Sequence, residues 1–321
     1  MQLVKELLAG NRRAAARLIT LIENDDSQKR SLLAEIYPHT GRAFIIGITG
    51  APGAGKSSLV DRLLQLIRVD GLSAGIIAVD PTSPFSGGAI LGDRIRMQDH
   101  ALDTGVFIRS MGTRGSLGGL SRSTREAIQV LDAFGKDVII IETVGVGQSE
   151  VDIVKTADST VVILTPAGGD SVQTIKAGIM EIADIFVINK ADLPGAERTA
   201  MEINMMLDMS GEKDWRPPVV PAVSIRGEGV EELWKALQEH RKYLEKSDRL
   251  TAVRRQRVSR ELTEQVEYLV KNKIWEAVKE KIDFECLVEE ISTRRKDPYS
   301  AAAELLEQID FYNNKGSGEG G

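Results

Sequence analysis

A single cysteine, three histidines and no surplus of positive charge are the first limits set by this 321-residue sequence. One thiol, Cys286, excludes an intramolecular disulfide framework and suits a reducing compartment; its default place is a buried, inert position. The scattered histidines and that cysteine offer no soft-metal cluster. A formal charge of -6 at pH 7 argues against a broad nucleic-acid footprint, and the local RRQR at 254–257 reads as a solvated helix face. No run reaches the roughly 18 apolar residues of a membrane span. The leading MQLVKELLAGNRRAAARL lacks the apolar block and cleavage site of a secretory signal, and Glu6 speaks against a mitochondrial address. The expectation is a cytoplasmic protein with no membrane and no nucleic-acid partner. Hydrophobic residues at 42% and charged residues at 27% are ordinary globular values, so a substantial core is expected.

Residues 3–37 are expected to form short amphipathic helices. Leu3, Val4, Leu7 and Leu8 make one apolar face, and Leu18, Ile19 and Ile22 continue it after Asn11. From Phe44 the pattern changes to short β-rich runs separated by helical stretches: FIIGIT, AGIIAVD, VFIRS, DVIIIE, STVVILT, DIFVINK and VVPAVS. Apolar runs without clean alternation mark strands buried on both faces, so the fold class is α/β, a mostly parallel sheet covered by helices. After about residue 245 such runs stop. Val258, Leu262, Val266, Val270 and Ile274 form a stripe on a long helix that can pack on its own domain or on a second copy. Asp297-Pro298 resembles the N-cap and first turn of a last helix. The predicted organisation is an N-terminal helical extension (1–40), a nucleotide-binding α/β domain (41–245), a C-terminal helical region (246–312) and a flexible tail (313–321).

The sharpest motif is Gly50-Ala51-Pro52-Gly53-Ala54-Gly55-Lys56-Ser57, which follows the strand FIIGIT and opens a helix at Ser58. Glycines let backbone N–H groups close around phosphate oxygens, the helix start adds a positive dipole end, Lys56 reaches the terminal phosphates and Ser57 can ligate Mg2+. Asn189-Lys190-Ala191-Asp192 closes the strand DIFVINK at the carboxyl edge, where open α/β sheets bind ligands. The Asp192 carboxylate can accept from both N1–H and the exocyclic amine of guanine, an arrangement adenine does not offer. Two such charged hydrogen bonds, at about 1.5–3 kcal/mol each, suffice to select GTP and GDP. Asn189 would brace the loop, the Lys190 stem would lie over the ring, and Ser224 sits where a final guanine-contacting loop belongs.

Asp80 ends the strand AGIIAVD, and Asp93 follows PTSPFSGGAILG, a loop rich in Pro, Gly and Ser. Both are candidates for magnesium and hydrolysis, and both have an alternative as caps or turn residues. Glu142 stands at a strand end where Asp is usual in nucleotide hydrolases; its longer side chain can hold Mg2+ through water. Gly145 and Gly147 can then approach the γ-phosphate. Asp170, Gln173 and Lys176 project from a glycine-to-helix segment, where structural caps and surface charges are the simpler account. Arg109 and Arg114 are internal candidates for an arginine that assists hydrolysis.

The motifs GITGAPGAGKSS, VDPTSPFSGGAILGDRIRM, SMGTRGSLGGLS, ETVGVGQSE, GGDSVQTIKAGIMEIAD and NKADLPGAE occur in that order. In this the chain resembles the MeaB/ArgK family of G-protein chaperones, relatives of the MMAA protein, over residues 5–310. The resemblance implies a GTPase that gates adenosylcobalamin delivery to methylmalonyl-CoA mutase or a close homologue and protects or reactivates the loaded enzyme. It further implies a homodimer formed through the C-terminal helices, and names the mutase's adenosyltransferase as another candidate partner. Asp80, Asp93 and Glu142 fall in the family's magnesium and hydrolysis network; Gln148 lies in its ETVGVGQSE motif, and the 165–176 segment with Asp170, Gln173 and Lys176 corresponds to a nucleotide-reporting switch. Glutamate at 142 is what this family carries. Ser58, where Thr is frequent, and Ile225, where Ala is frequent, are departures. No Asp-x-His-x-x-Gly element is present, so the cobalamin is expected on the partner. The alternatives from other classes are a P-loop kinase acting on a metabolite or protein, a nickel-insertion GTPase, and a binding switch with negligible turnover.

Overall fold

The computed structural model describes residues 2–80, 100, 102–112, 122–143, 149–166, 181–211, 214–281 and 283–308. The chain divides into two compact units, Met1–Arg254 and Arg255–Gly321.

The first unit opens with α1 (Gln2–Leu8), α2 (Arg12–Glu23) and α3 (Lys29–Ile36). Asn11 is the N-cap of α2, its side chain accepting from the N–H of Arg13 and Ala14. Leu7, Leu18, Ile19 and Ile22 are buried as expected, whereas Leu8 stays 40% exposed. Seven strands then form one sheet: β1 (Phe44–Gly50), β2 (Ala74–Asp80), β3 (Val106–Gly112), β4 (Val138–Thr143), β5 (Ser159–Leu164), β6 (Ile185–Asn189) and β7 (Val219–Ala222). They coincide with the seven β-rich runs of the sequence. All pairings are parallel, in the order β3-β2-β4-β1-β5-β6-β7. The interleaved helices are α4 (Lys56–Val69), α5 (Arg122–Ala133), α6 (Ser149–Val154), α7 (Ala196–Met209) and α8 (Val230–Lys246).

The strand pleat divides the core in two. Ile46, Ile48, Ile76, Ile140, Val161 and Ile163 pack with Leu59, Leu63, Leu64 and Ile67 of α4 and Leu233 and Leu237 of α8. Their neighbours Ile45, Ile77, Val79, Ile139 and Ile141 face the N-terminal helices, α5 and α6. Both faces being covered explains why the strands read as uninterrupted apolar runs. On the second face a Cβ at Gly47 would stand 2.6 Å from Ile153 Cγ1, so the missing side chain lets α6 lie against β1.

The amino ends of the strands are closed by side chains. Asp132 of α5 accepts from the N–H of Gly41 (2.5 Å), Arg42 (3.1 Å) and Ala43 (3.0 Å), and Asp158 accepts from Ile45 N (3.0 Å). Arg254 joins Asp158 (2.7 Å) to the carbonyls of Gly41 (2.6 Å) and Ala43 (2.8 Å). The expectation of a solvated face at 254–257 therefore fails for Arg254. Burial opposes its charge, and the Asp158 carboxylate outweighs that and raises its pKa.

The second helix-rich unit takes up most of α9 (Arg249–Lys281), with α10 (Phe284–Ser292) and α11 (Pro298–Gln308). Asp297 caps α11 through the N–H of Tyr299 and Ser300, as its sequence position suggested. One expectation is corrected. Cys286 is exposed, on a short helix whose surroundings bury little, and is not a core thiol. The stripe Val258, Leu262, Val266 and Val270 is 48–65% exposed in the single chain, which leaves packing on its own domain unmet and packing on a second copy open; among the large apolar residues of this helix Val278 is buried. Among the described residues no helix is long and apolar enough to cross a membrane.

Candidate functional site

Parallel strands bring their carboxyl ends to one edge, and with them Gly50, Asp80, Thr143 and Asn189. The glycine-rich loop leaves β1 there. Gly50 has φ +147° and no room for a side chain, since a Cβ would lie 2.3 Å from Ile163 O of β5. Gly55, at φ +89°, would place a Cβ 2.2 Å from Asn189 Nδ2. The loop thus needs glycine for close approach to two neighbouring strands as well as for its turn. Among the described residues the N–H groups of Gly53 and Gly55 have no acceptor, and α4 starts immediately after them. Unspent donors ahead of a helix start suit an anion. Lys56, the first residue of α4, is buried and donates to Gly50 O (2.8 Å) and Ala51 O (3.0 Å).

Ser57 and Glu142 meet at this edge. The pleat puts Glu142 on the same face as Ile140, toward α4, and Ser57 Oγ donates to Glu142 Oε1 at 2.6 Å. Beneath them Thr143 Oγ1 donates to Thr49 Oγ1 across β4 and β1 (3.1 Å). A hydroxyl and a carboxylate facing each other beside the loop are hard oxygen donors, which fits Mg2+. Asp80 is placed by its backbone at the end of β2, in register with Gly112 of β3. Its side chain, and Asp93, Arg114, Gly145, Gly147, Gln148, Asp170, Gln173 and Lys176, lie outside the described residues. Among the described residues no group of three or more His, Cys, Asp or Glu side chains gathers as a metal site. Arg109 is turned away: in β3 it shares the pleat face of Phe107 and Met111, and its guanidinium bonds Thr20 and Glu23 of α2. That removes it as an arginine aimed at the loop.

Asn189 connects the two halves of the site. Its Nδ2 donates to Ala54 O (2.7 Å) in the glycine-rich loop, and its Oδ1 accepts from Ser224 N (3.1 Å) after β7. Lys190 follows at φ +58°, and Ala191 N bonds Ala222 O, so the turn presents Lys190 and Asp192 at the exposed surface while Asn189 is buried. Ser224, Ile225 and Arg226 make a tight turn in which Arg226 N bonds Val223 O; the Ile225 N–H has no acceptor among the described residues. The Asn189, Lys190, Asp192, Ser224 and Ile225 of the sequence reading therefore converge beside the glycine-rich loop. Two contacts went unread: Arg62 of α4 donates to Ile225 O (3.3 Å), and Arg226 pairs with Asp192 (3.3 Å). Neither arginine falls in a spaced motif, so only the folded turn brings them to the site.

The profile of the family described as Methylmalonyl Co-A mutase-associated GTPase MeaB matches residues 15–279. A Pyrococcus abyssi protein is 55% identical over 312 residues, 96% of each chain. GTPase ArgK of Escherichia coli is 37% identical over 281 residues, 85% of each chain. The mouse protein named Methylmalonic aciduria type A homolog, mitochondrial, is 37% identical over 267 residues, 77% of this chain and 64% of its own length. Among solved structures, one named LAO/AO transport system kinase superposes with a TM-score of 0.71 at 29% identity, covering 96% of each chain.

Proposed function

Because this chain belongs to the methylmalonyl-CoA mutase-associated GTPase family MeaB, and is thereby a GTPase, we propose that it acts as a nucleotide-driven chaperone of an acyl-CoA mutase. In this reading GTP gates adenosylcobalamin loading into methylmalonyl-CoA mutase or a related enzyme and protects or reactivates the loaded enzyme. The observation that carries the site assignment is the Asn189 bridge between Ala54 O and Ser224 N, which ties the glycine-rich loop to the turn after β7 and supports reading the two as one nucleotide pocket.

Within that pocket Gly50 to Ser58 cradle the phosphates, with the loop N–H groups donating to their oxygens and Lys56 meeting the terminal ones. Asp192 accepts from guanine, Ile225 N–H donates to its carbonyl, and the Lys190 stem covers the ring. Ser57 would hold Mg2+ directly and Glu142 through water; when bound, the ion offsets charge on the β- and γ-phosphates. Asp80 and Asp93 belong to the same network in this reading, and Gly145, Gly147, Gln148 and the 165–176 segment with Asp170, Gln173 and Lys176 report the γ-phosphate to the partner. The protein is read as a cytoplasmic homodimer paired through its C-terminal helices, with cobalamin carried by the mutase and an adenosyltransferase as a second partner.

Hydrolysis is slow alone and faster on the mutase. Single-turnover GTP hydrolysis with and without candidate mutases tests this, with acceleration expected. No acceleration by any acyl-CoA mutase removes the chaperone role and leaves the GTPase. The kinase named among the similar structures motivates a second reading, in which labelled γ-phosphate appears on a metabolite or protein instead of in water.

A further inference from the structure

Beside the guanine-selecting carboxylate stands an arginine to which no role has been assigned. Arg226 Nη2 lies 3.3 Å from Asp192 Oδ2, and its other nitrogen, Nη1, lies 3.8 Å from Glu228 Oε1. The turn that carries it is fixed: Val223 pairs with Glu228 in an isolated bridge, Arg226 N bonds Val223 O, and Gly227 at φ +78° reverses the chain. Gly229 has no room for a side chain, because a Cβ would lie 2.1 Å from Pro221 O. The backbone under Arg226 is therefore placed by the fold, while its guanidinium reaches across to the loop after β6.

Asp192 needs such help. Its side chain is 31% exposed and no other side chain among the described residues is paired with it, so its carboxylate would otherwise turn freely about χ2. A carboxylate has about four lone-pair sites, of which guanine N1–H and the exocyclic amine take two. One arginine N–H on Oδ2 leaves enough for both. The three donors are compatible, so Arg226 supports the base contact and does not compete with it.

We propose that Arg226 is a positioning residue for guanine selection, holding the Asp192 carboxylate in the orientation that accepts both donors of the base, with Glu228 fixing the far side of the guanidinium. The inference rests on the assignment of Asp192 to guanine. Arg226 acts on the base only through that carboxylate, which separates it from Arg62, whose hydrogen bond is to the backbone of the same turn.

The test is calorimetric binding of GDP, IDP and ADP to Arg226→Ala, Arg226→Glu, Arg226→Lys and Arg62→Ala, each alone and combined with Asp192→Asn. IDP lacks the exocyclic amine and keeps N1–H. Arg226→Ala is expected to weaken GDP about 2- to 5-fold, the range of an exposed ion pair, and the charge reversal about 10-fold. Both losses should be smaller for IDP and absent in the Asp192→Asn background, and Arg226→Lys should restore most of the affinity. Arg62→Ala serves as the control, with a loss that persists in that background. Equal losses for GDP and IDP, a loss that survives Asp192→Asn, or wild-type affinity in Arg226→Glu overturns the proposal while leaving the guanine site standing. If Asp192→Asn alone leaves GDP affinity unchanged, the guanine assignment itself falls, and this inference with it.

Discussion

At the carboxyl edge of the sheet the glycine-rich loop after β1 and the turn after β7 leave backbone groups open, whereas at the amino edge side chains spend them. The N–H groups of Gly53, Gly55 and Ile225 have no acceptor among the described residues, and all stand at the carboxyl edge. Across the sheet, Asp132 takes three successive N–H groups, Asp158 takes Ile45 N, and Arg254 takes two carbonyls. A buried unmatched donor costs about 1–3 kcal/mol, so one edge can be left unmatched only where a ligand or solvent completes it. The sheet is thus tied off by side chains at one edge and left open to a ligand at the other. Substitutions at the two ends should separate stability from nucleotide chemistry, and the sharpest tests are those that break this separation.

The largest expected effect is at Lys56. Lys56→Ala should lower single-turnover GTP hydrolysis on the order of 100- to 1000-fold, the usual loss for one preorganised charge-stabilising group. Its thermal midpoint should stay near wild type, since the ammonium bonds the carbonyls of Gly50 and Ala51 at the open edge of the sheet. A collapse in stability would show that the loop also holds the sheet together. Next is Glu142→Ala, expected to cost about 10- to 100-fold in magnesium-dependent turnover, as when a group that orients a metal's environment is lost. Nucleotide affinity measured without magnesium should change little. Equal activity would return Glu142 to a structural role as a hydrogen-bond partner of Ser57.

The amino edge should respond the other way. Asp132→Ala removes an acceptor shared by Gly41, Arg42 and Ala43, of which only Ala43 is buried, so water can replace part of what is lost. Urea denaturation should show a destabilisation of about 1–2 kcal/mol, with GTP affinity within twofold of wild type. A larger change in affinity than in stability would mean that the start of β1 is felt at the glycine-rich loop and that the two ends are not independent.

The same contrast explains which parts of the molecule were legible in the sequence. The carboxyl edge is built from short contiguous motifs, because phosphates and bases are gripped by consecutive residues, so Gly50 to Ser57 and Asn189 to Asp192 could be read directly. The strands were legible because burial on both faces leaves an apolar run, and Asn11 and Asp297 because a cap acts on its own helix start. The amino edge is made of pairs such as Arg254 with Asp158, 96 residues apart, which carry no periodicity. Arg226 with Asp192 is hidden for the same reason, although it lies in the site. The exposure of Cys286 was not legible, and what covers the Val258 stripe stays open, because an apolar repeat shows which residues share a face but not what that face meets.

The smallest expected effect lies in the polar chain that ties α8 to the amino edge. His240 is buried between Ser159, whose Oγ lies 2.5 Å from Nδ1, and Asp184, whose Oδ1 lies 3.5 Å from Nε2. Trp215 packs on the imidazole and donates to Asp184 O. Burial pushes Asp184 up to about 7, against the lowering effect of Thr160 N–H, and burial takes His240 down to about 4, with Asp158 opposing. Between those values the pair is a carboxylic acid beside a neutral imidazole, so Asp184 can donate to Nε2 while Nδ1–H donates to Ser159. A carboxyl whose pKa is raised on folding binds its proton more tightly when folded. Its contribution is complete below the ordinary carboxylate range and is lost as pH rises toward about 7. Asp184→Asn keeps a donor toward Nε2 and cannot ionise. Its thermal midpoint should therefore fall less than that of wild type as the pH is raised from about 4 to 7, the two curves running parallel above 7. The depressed His240 pulls the other way, since stability is lost as pH falls from about 6.5 toward 4, and it does so in both proteins. Identical pH profiles would mean that Asp184 keeps its charge and that the amino edge is closed there by an ion pair instead of a neutral chain.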